Sequence, residues 1–208
     1  PQRVVENRVI SVSSINKTVL FQEENGSLHG FGHGNYGKLG NNSTTDQNSP
    51  NLVGSNQVIS SAAGGDHGAM VLEDGSLWTF GRNNYGQLGD GNKTDRLSPV
   101  KIVDQNVSQV ATGWNHTLFL MNDGSVWGMG RNNDGQLGGD NQSDQLVPKR
   151  IIASGGKWIS AGHLYSFVGM TDGSLLGFGN GHDFRLGYPS SGIQRSPVLI
   201  IDRGIKYA

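Results

Sequence analysis

Residues 74–89 read DGSLWTFGRNNYGQLG, and residues 123–138 repeat them as DGSVWGMGRNNDGQLG, 49 positions later. Glycine–serine pairs begin at positions 26, 75, 124 and 173, and prolines stand at 1, 50, 99, 148 and 197, all with the same spacing. A fixed period of this length indicates an array of equivalent supersecondary units that bury their apolar faces against one another. We place the units at approximately 5–53, 54–102, 103–151 and 152–200 of a single domain, 1–208, in which 201–208 starts a further unit.

The third unit shows what one repeat builds. Apolar runs at 107–112 and 116–121 precede Asp123-Gly124, and further runs follow at 125–130 and, with Pro148, at 146–151. Two apolar runs joined by Asp-Gly predict a β-hairpin with a type I′ turn. The proline confines the fourth strand to a sheet edge or to a position where no ladder donor is required. Four short antiparallel strands in 40–50 residues are typical of a propeller blade. The predicted fold is therefore all-β, a β-propeller of four-stranded antiparallel blades.

The composition excludes several classes of function. The chain has a net charge of −1 and a pI near 6.7, so no overall field attracts nucleic acid or an anionic membrane. It has no cysteine, which excludes disulfides, thiolate metal sites and a cysteine nucleophile. No apolar run of about 18 residues is present to span a bilayer. The lack of cysteine favours an extracytoplasmic bacterial protein, and the sequence leaves the compartment open.

The glycine-rich stretches carry a family resemblance. Residues 81–89 and 130–138 resemble the signature of the regulator of chromosome condensation repeat family, and residues 32–40 follow it more loosely. The resemblance extends over four consecutive units, essentially the whole chain. The chain looks like a bacterial or environmental member of this family, or an internal fragment of one. Members usually form seven-bladed propellers, so the resemblance implies that these four repeats are part of such a propeller.

The fourth unit departs from this pattern. Its loop, residues 179–187, has Phe184 where the second and third units have Gly86 and Gly135. If that position requires a positive φ, phenylalanine is strained there or the loop has another shape. We interpret the departure as a candidate specialised surface.

Two histidines invite a catalytic or metal-binding interpretation. His67 and His116 occupy equivalent positions, but the first unit has no matching histidine and the fourth has Tyr165 there. A residue repeated at blade spacing generally has a repeated structural role, and no close His–His spacing of a metal motif is present. We therefore predict structural histidines, no metal, no cofactor and no catalytic residues.

Arginine and aromatic residues of the loops are the best candidates for binding a partner. Arg82 and Arg131 are equivalent positions whose counterparts are His33 and Asn180, and variation at a fixed loop position suits a partner-facing surface. Together with the departures of the fourth unit, the candidate partner-binding residues are Arg82, Tyr85, Trp114, Arg131, His163, His182, Phe184 and Arg185.

The sequence favours a non-enzymatic protein–protein interaction or scaffold module that presents loops on a rigid propeller. The resemblance adds two alternatives. The founding family member is a guanine-nucleotide exchange factor for a small GTPase that also binds chromatin, and some secreted bacterial members inhibit enzymes by loop insertion. We expect a protein partner, no nucleic acid and no membrane span. An incomplete propeller would expose apolar faces, which would favour self-association.

Overall fold

A computed structural model describes residues 7–54, 57–139, 142–188 and 191–202. Each unit forms one antiparallel four-stranded sheet in which the strands pair in chain order, as the alternation of short apolar runs and glycine turns predicts. The first two sheets consist of β1 (Val9–Ile15), β2 (Thr18–Glu23), β3 (Leu28–Gly32) and β4 (Gln47–Gly54), and of β5 (Val58–Ala63), β6 (His67–Leu72), β7 (Leu77–Gly81) and β8 (Arg96–Val103). The other two consist of β9 (Val107–Thr112), β10 (His116–Met121), β11 (Val126–Gly130) and β12 (Gln145–Ile152), and of β13 (Gly156–Ala161), β14 (Tyr165–Met170), β15 (Leu175–Asn180) and β16 (Ile193–Ile201).

These four sheets confirm the all-β prediction of four-stranded antiparallel blades. Pro50, Pro99, Pro148 and Pro197 lie in β4, β8, β12 and β16, which are edge strands of their sheets. An edge position tolerates proline because it needs no second ladder of hydrogen-bond donors. Of the segment 201–208, expected to start a further unit, residues 203–208 lie outside the described residues.

The Asp-Gly hairpins differ from the prediction in their turn type. The Gly75 amide donates to the Leu72 carbonyl, and the Leu72 amide donates to the Ser76 carbonyl. Gly75 has a φ of +78°, whereas Asp74 is not among the positive-φ residues. The connection is therefore a three-residue loop with glycine in the left-handed position, so the predicted type I′ turn was wrong. Asp74 instead accepts a hydrogen bond from the Ser76 amide at 2.8 Å.

The cores lie between consecutive sheets. Leu20 and Leu28 of the first sheet pack with Val58, Met70 and Phe80 of the second. Two further clusters join the second sheet to the third and the third to the fourth. Each unit therefore depends on its neighbours for burial of its apolar surface, as expected for a repeat array. Within the described ranges, no helix is long and apolar enough to cross a membrane.

Candidate interaction surface

One end of the array gathers all of the candidate residues. Because the strands of each sheet alternate in direction, the connections after the first and third strands lie at the same end. We call this end the loop face. Of the described residues, it consists of the first connections at 16–17, 64–66, 113–115 and 162–164, and of the glycine loops at 33–46, 82–95, 131–139, 142–144, 181–188 and 191–192 with the end residue Asn180. Trp114 and His163 lie in first connections, and the other six candidates lie in glycine loops.

The glycine loops of the second and third units are held in shape by a buried asparagine. The side-chain Oδ1 of Asn83 accepts the Leu88 amide at 3.0 Å, and its Nδ2 donates to Asp90 at 2.8 Å. The backbone amide of Asn83 donates to Asp95 at 2.7 Å. Asn132 accepts the Leu137 amide in the same way at 2.9 Å in the next unit. These bonds fix the loop backbone from within, so the loops are presented in a defined shape.

His67 and His116 link consecutive units beneath this face. The Nε2 atom of His67 lies 2.9 Å from Oγ1 of Thr117 in the next unit, and that hydroxyl donates to the Gln87 carbonyl at 2.8 Å. Since the hydroxyl proton is committed to Gln87, Nε2–H of His67 is the donor. His116 and Ser166 repeat the arrangement at 3.0 Å.

Burial keeps both rings uncharged. Desolvation lowers the pKa of His67 to about 4 and that of His116 to about 3. Among the described residues, no group of three or more His, Asp or Glu side chains is arranged to hold a metal ion. The geometry gives the two histidines a structural role at the junctions between units.

Arg82 contacts one residue of the preceding unit and one residue of its own unit. Its guanidinium carbon lies 4.4 Å from the ring centroid of Tyr36 in the first unit. Its Nη1 atom also donates to Asp66 at 3.2 Å. Arg82 is therefore a contact between units, and its role as a partner contact stays a prediction.

The same pair of positions is used at the next two junctions. Arg131 lies over Tyr85 at 5.5 Å, and its Nη2 atom is 3.3 Å from Asp134. At the following junction Asn180 donates to Asp134 at 3.1 Å. The residues at these positions change together, from Tyr with Arg, twice, to Asp with Asn. The sequence contained this signal, which becomes readable when each unit is aligned with the preceding loop.

Asp66 is the centre of a polar cluster that the sequence analysis missed. It accepts from Lys38 at 3.2 Å and from Asn16 at 3.1 Å, in addition to Arg82. Lys38 is 2% exposed, so its ammonium group depends on this carboxylate. The Asp66 carboxylate is bonded to three side chains of this protein, and the cluster stabilises the first junction.

The fourth-unit end of the loop face has the most accessible candidates. Phe184 is 62% exposed, and its neighbours His182 and Arg185 are also exposed. The His163 ring lies edge-on to Trp114 with centroids 4.6 Å apart. Partial desolvation lowers the pKa of His163, and the charges of Arg185 and Arg131 lower it further. This end of the loop face thus has the Trp114–His163 ring pair in its first connections and an exposed phenylalanine in its glycine loop.

Phe184 also answers the question that its sequence position raised. Its φ is +58°, close to the +79° and +73° of Gly86 and Gly135. Its amide donates to the Gly181 carbonyl, and its carbonyl accepts the Gly187 amide, as in the other loops. The turn is therefore retained, and phenylalanine occupies a left-handed conformation that glycine occupies elsewhere.

Comparison with solved structures shows the fold shared with known propellers. Prp20p from Saccharomyces cerevisiae is 21% identical with a TM-score of 0.80, over 95% of this chain and 51% of that one. Human WBSCR16 is 23% identical with a TM-score of 0.77, over 92% of this chain and 52% of that one. The chain thus spans about half the length of these proteins. A further structure, yeast RCC1 (Prp20) bound to Kap60, gives a TM-score of 0.83 at 21% identity, over 97% of this chain and 50% of that one.

Comparison with curated protein sequences found no match. A family model described as the regulator of chromosome condensation (RCC1) repeat matches residues 25–71, 74–120 and 123–168. A second model of the same description matches residues 58–87 and 107–136. With well over half of its residues matched, and with four sheets built on the 49-residue period, this chain belongs to the regulator of chromosome condensation (RCC1) repeat family.

Proposed function

We propose that this chain is a non-enzymatic protein–protein interaction module that binds a protein partner through the fourth-unit end of its loop face. Propellers of this repeat family are typically binding or regulatory modules. The observation that carries the more specific proposal is Phe184. It is a large apolar residue in a backbone conformation that disfavours it, and its side chain is 62% exposed among the residues that the structure describes.

Backbone strain of this kind costs on the order of 1–3 kcal/mol and concentrates at functional sites. Glycine at three equivalent positions shows that the turn itself does not require a side chain. Exposed aromatic and arginine side chains are also the residues that dominate binding energy at interfaces. A partner that covers Phe184 would remove its apolar surface from water, and this burial would offset the backbone strain.

Rigid presentation supports the same function. In the fourth-unit loop, where Gly181 has the position of Asn83, the Phe184 amide donates to the Gly181 carbonyl and the Gly187 amide to the Phe184 carbonyl, which holds the turn before any partner binds. Little conformational entropy is then lost on association, because the loops are already ordered. The ring of His163 against Trp114 adds a preformed aromatic contact, and the charge of Arg185 acts on this ring.

The structural neighbours are consistent with a protein partner. The structure of Prp20p was described together with its binding properties to Gsp1p and histones, and that of yeast RCC1 (Prp20) was solved bound to Kap60. At 21% identity this likeness shows a shared fold and not a shared partner. Guanine-nucleotide exchange and enzyme inhibition are therefore the two finer roles that an identified partner would distinguish.

Site-specific photocrosslinking in the native cell tests the proposal. The photoreactive amino acid p-benzoylphenylalanine replaces Phe184 with a related aromatic side chain. A matched control carries it at Val147, which is 55% exposed on the edge strand β12. We expect a protein adduct from position 184 and none of the same mass from position 147. Identical adduct patterns from the two positions, or no adduct from position 184, would contradict the proposal.

The identity of the adduct then selects the finer role. A small GTPase whose nucleotide release is accelerated by this chain would establish exchange. An enzyme whose activity is lost on binding would establish inhibition. Any other protein partner would leave the chain as a scaffold module.

A further inference from the structure

The glycine loops have two backbone conformations, although their sequences are nearly the same. Residues 35–40 and 84–89 read NYGKLG and NYGQLG, and they differ only at their fourth position. Tyr36 has a φ of +63°, whereas Tyr85 does not have a positive φ. The same tyrosine, between the same asparagine and glycine, is therefore left-handed in the first unit and not in the second.

The third and fourth units repeat this contrast with aspartate. Asp183 has a φ of +60°, whereas Asp134, its equivalent in the third unit, does not have a positive φ. Two positions later stand Gln136 in the third unit and Arg185 in the fourth. In all four loops glutamine thus accompanies one conformation and a cationic side chain the other, whichever residue adopts it.

The glutamine side chain bonds to the amide of the residue whose conformation differs. The Tyr85 amide donates to Oε1 of Gln87 at 2.9 Å. The Asp134 amide donates to Oε1 of Gln136 in the same way, at 3.0 Å. Both glutamines are completely buried, so water does not compete for these bonds. Lysine and arginine have only donors and cannot accept such an amide.

Where this acceptor is missing, the backbone supplies a hydrogen bond of its own. The Lys38 amide donates to the Asn35 carbonyl at 3.3 Å, across Tyr36 and Gly37. Both central residues have positive φ values, which defines a type I′ turn. The Lys38 ammonium group bonds to Asp66 instead of the loop backbone that precedes it. Each loop therefore has one turn-forming bond, and the side chain at this position decides which one.

A second residue also differs between the two kinds of loop. Asn83 and Asn132 stand in the second and third units where the first and fourth have Gly34 and Gly181. The Asn83 side chain accepts the Leu88 amide at 3.0 Å, beyond the glycine of the turn. It holds the far end of the loop, so the glutamine is the side chain that acts directly on the residue whose φ differs.

The two conformations present the tyrosine differently on the loop face. Tyr36 is 39% exposed, whereas Tyr85 is half-buried. Arg82 of the following unit lies over Tyr36 at 4.4 Å. Arg131 of the following unit lies over Tyr85 at 5.5 Å. Both tyrosines lie at junctions between described units and have the same kind of neighbour, so the backbone conformation accounts for their different exposure.

We propose that Lys38 and Gln87, with their equivalents in the other units, select the conformation of each glycine loop and are specificity-determining residues of the loop face. A partner that binds this face meets an exposed, left-handed Tyr36 over the first unit and a withdrawn Tyr85 over the second. The inference concerns the shape of the loops, and it holds whether or not the fourth-unit end is the surface that binds a partner.

NMR spectroscopy of the whole isotopically labelled chain tests this inference without a partner. A residue with positive φ gives a strong cross-peak between its own amide and Hα protons, because these protons are then closer together. In the native chain this cross-peak should be strong for Tyr36 and weak for Tyr85. Gln87→Met keeps the length of the side chain and removes the acceptor, so the Tyr85 cross-peak should rise to the intensity of the Tyr36 cross-peak.

The reverse change uses the neutral pair of the next junction. Lys38→Gln with Asp66→Asn introduces the acceptor, and the Tyr36 cross-peak should fall to the intensity of the Tyr85 cross-peak. Lys38→Met with Asp66→Asn is the matched control. It removes the same charges without adding an acceptor, so the Tyr36 cross-peak should remain strong.

Three results would overturn the inference. The first is a weak Tyr85 cross-peak in Gln87→Met, and the second is a strong Tyr36 cross-peak in Lys38→Gln with Asp66→Asn. The third is a strong Tyr85 cross-peak in Asn83→Gly with Gln87 intact, because the asparagine position would then select the conformation.

Discussion

Replacing Asp66 by alanine tests the buried charge cluster at the first junction. Lys38 is 2% exposed, and its Nζ atom lies 3.2 Å from Asp66 and 3.2 Å from the Asn16 carbonyl. Without the carboxylate, the ammonium group stays buried with only a carbonyl as its partner. Removing one member of a buried pair typically costs about 3–5 kcal/mol. We expect a loss of about 3 kcal/mol, at the lower end, since the Asn16 carbonyl remains.

Urea unfolding followed by circular dichroism at pH 7 measures this loss. The next junction supplies a matched control, because Gln87 and Asn115 occupy the positions of Lys38 and Asp66 there and are buried without charge. The double variant Lys38→Gln with Asp66→Asn imports that neutral pair. It should recover at least half of the stability that Asp66→Ala loses.

Two results would refute this reasoning. A loss below about 1 kcal/mol on Asp66→Ala, the level of an exposed pair, would show that Lys38 finds water or another partner. A double variant no more stable than Asp66→Ala would show that the geometry of this junction, and not its charge balance, sets the stability.

Two further predictions concern the junctions. Below pH 6.5 the unfolded chain protonates His67 and His116, whereas the folded chain keeps them neutral because burial lowers their pKa values to about 4 and about 3. The free energy of unfolding should therefore fall from pH 6.5 to pH 5 by roughly 1 kcal/mol per pH unit for each histidine. Urea unfolding at several pH values should show that the unfolding free energy of His67→Gln depends less on pH than that of the native chain; an equal pH dependence would contradict this. Gly86→Ala should destabilise more than Gly91→Ala, because both have φ near +80° but only the former places a Cβ 2.8 Å from the Leu146 backbone. Equal urea midpoints for these two variants would show that φ alone matters.

The fold was predictable because the 49-residue spacing of glycines and prolines defines the units, whatever side chains their loops carry. Proline at the fourth strand of every unit indicated an edge, and the structure places Pro50, Pro99, Pro148 and Pro197 on edge strands. The turn type was not predictable from Asp74-Gly75 alone. Asp-Gly suits both a two-residue and a three-residue loop, and the pairing of Leu72 with Ser76 decides between them.

The contacts between units were beyond the sequence analysis for a geometric reason. Arg82 was interpreted as a residue facing a partner, since its side chain varies at a loop position. Its stacking on Tyr36 of the preceding unit depends on how two sheets are placed side by side, which no single unit specifies. In contrast, Phe184 was recognisable as a departure because the other three units have glycine at that position.

The most direct test of the account uses the partner protein that is crosslinked to position 184. Its affinity is measured for the native chain and for two single variants. Isothermal titration should show that Phe184→Ala weakens binding by at least about tenfold, as truncation of an interface anchor does. Val147→Ala, on the exposed edge strand β12, should leave the affinity unchanged. Equal affinities of the native chain and Phe184→Ala would contradict the proposal that the fourth-unit end of the loop face is the binding surface.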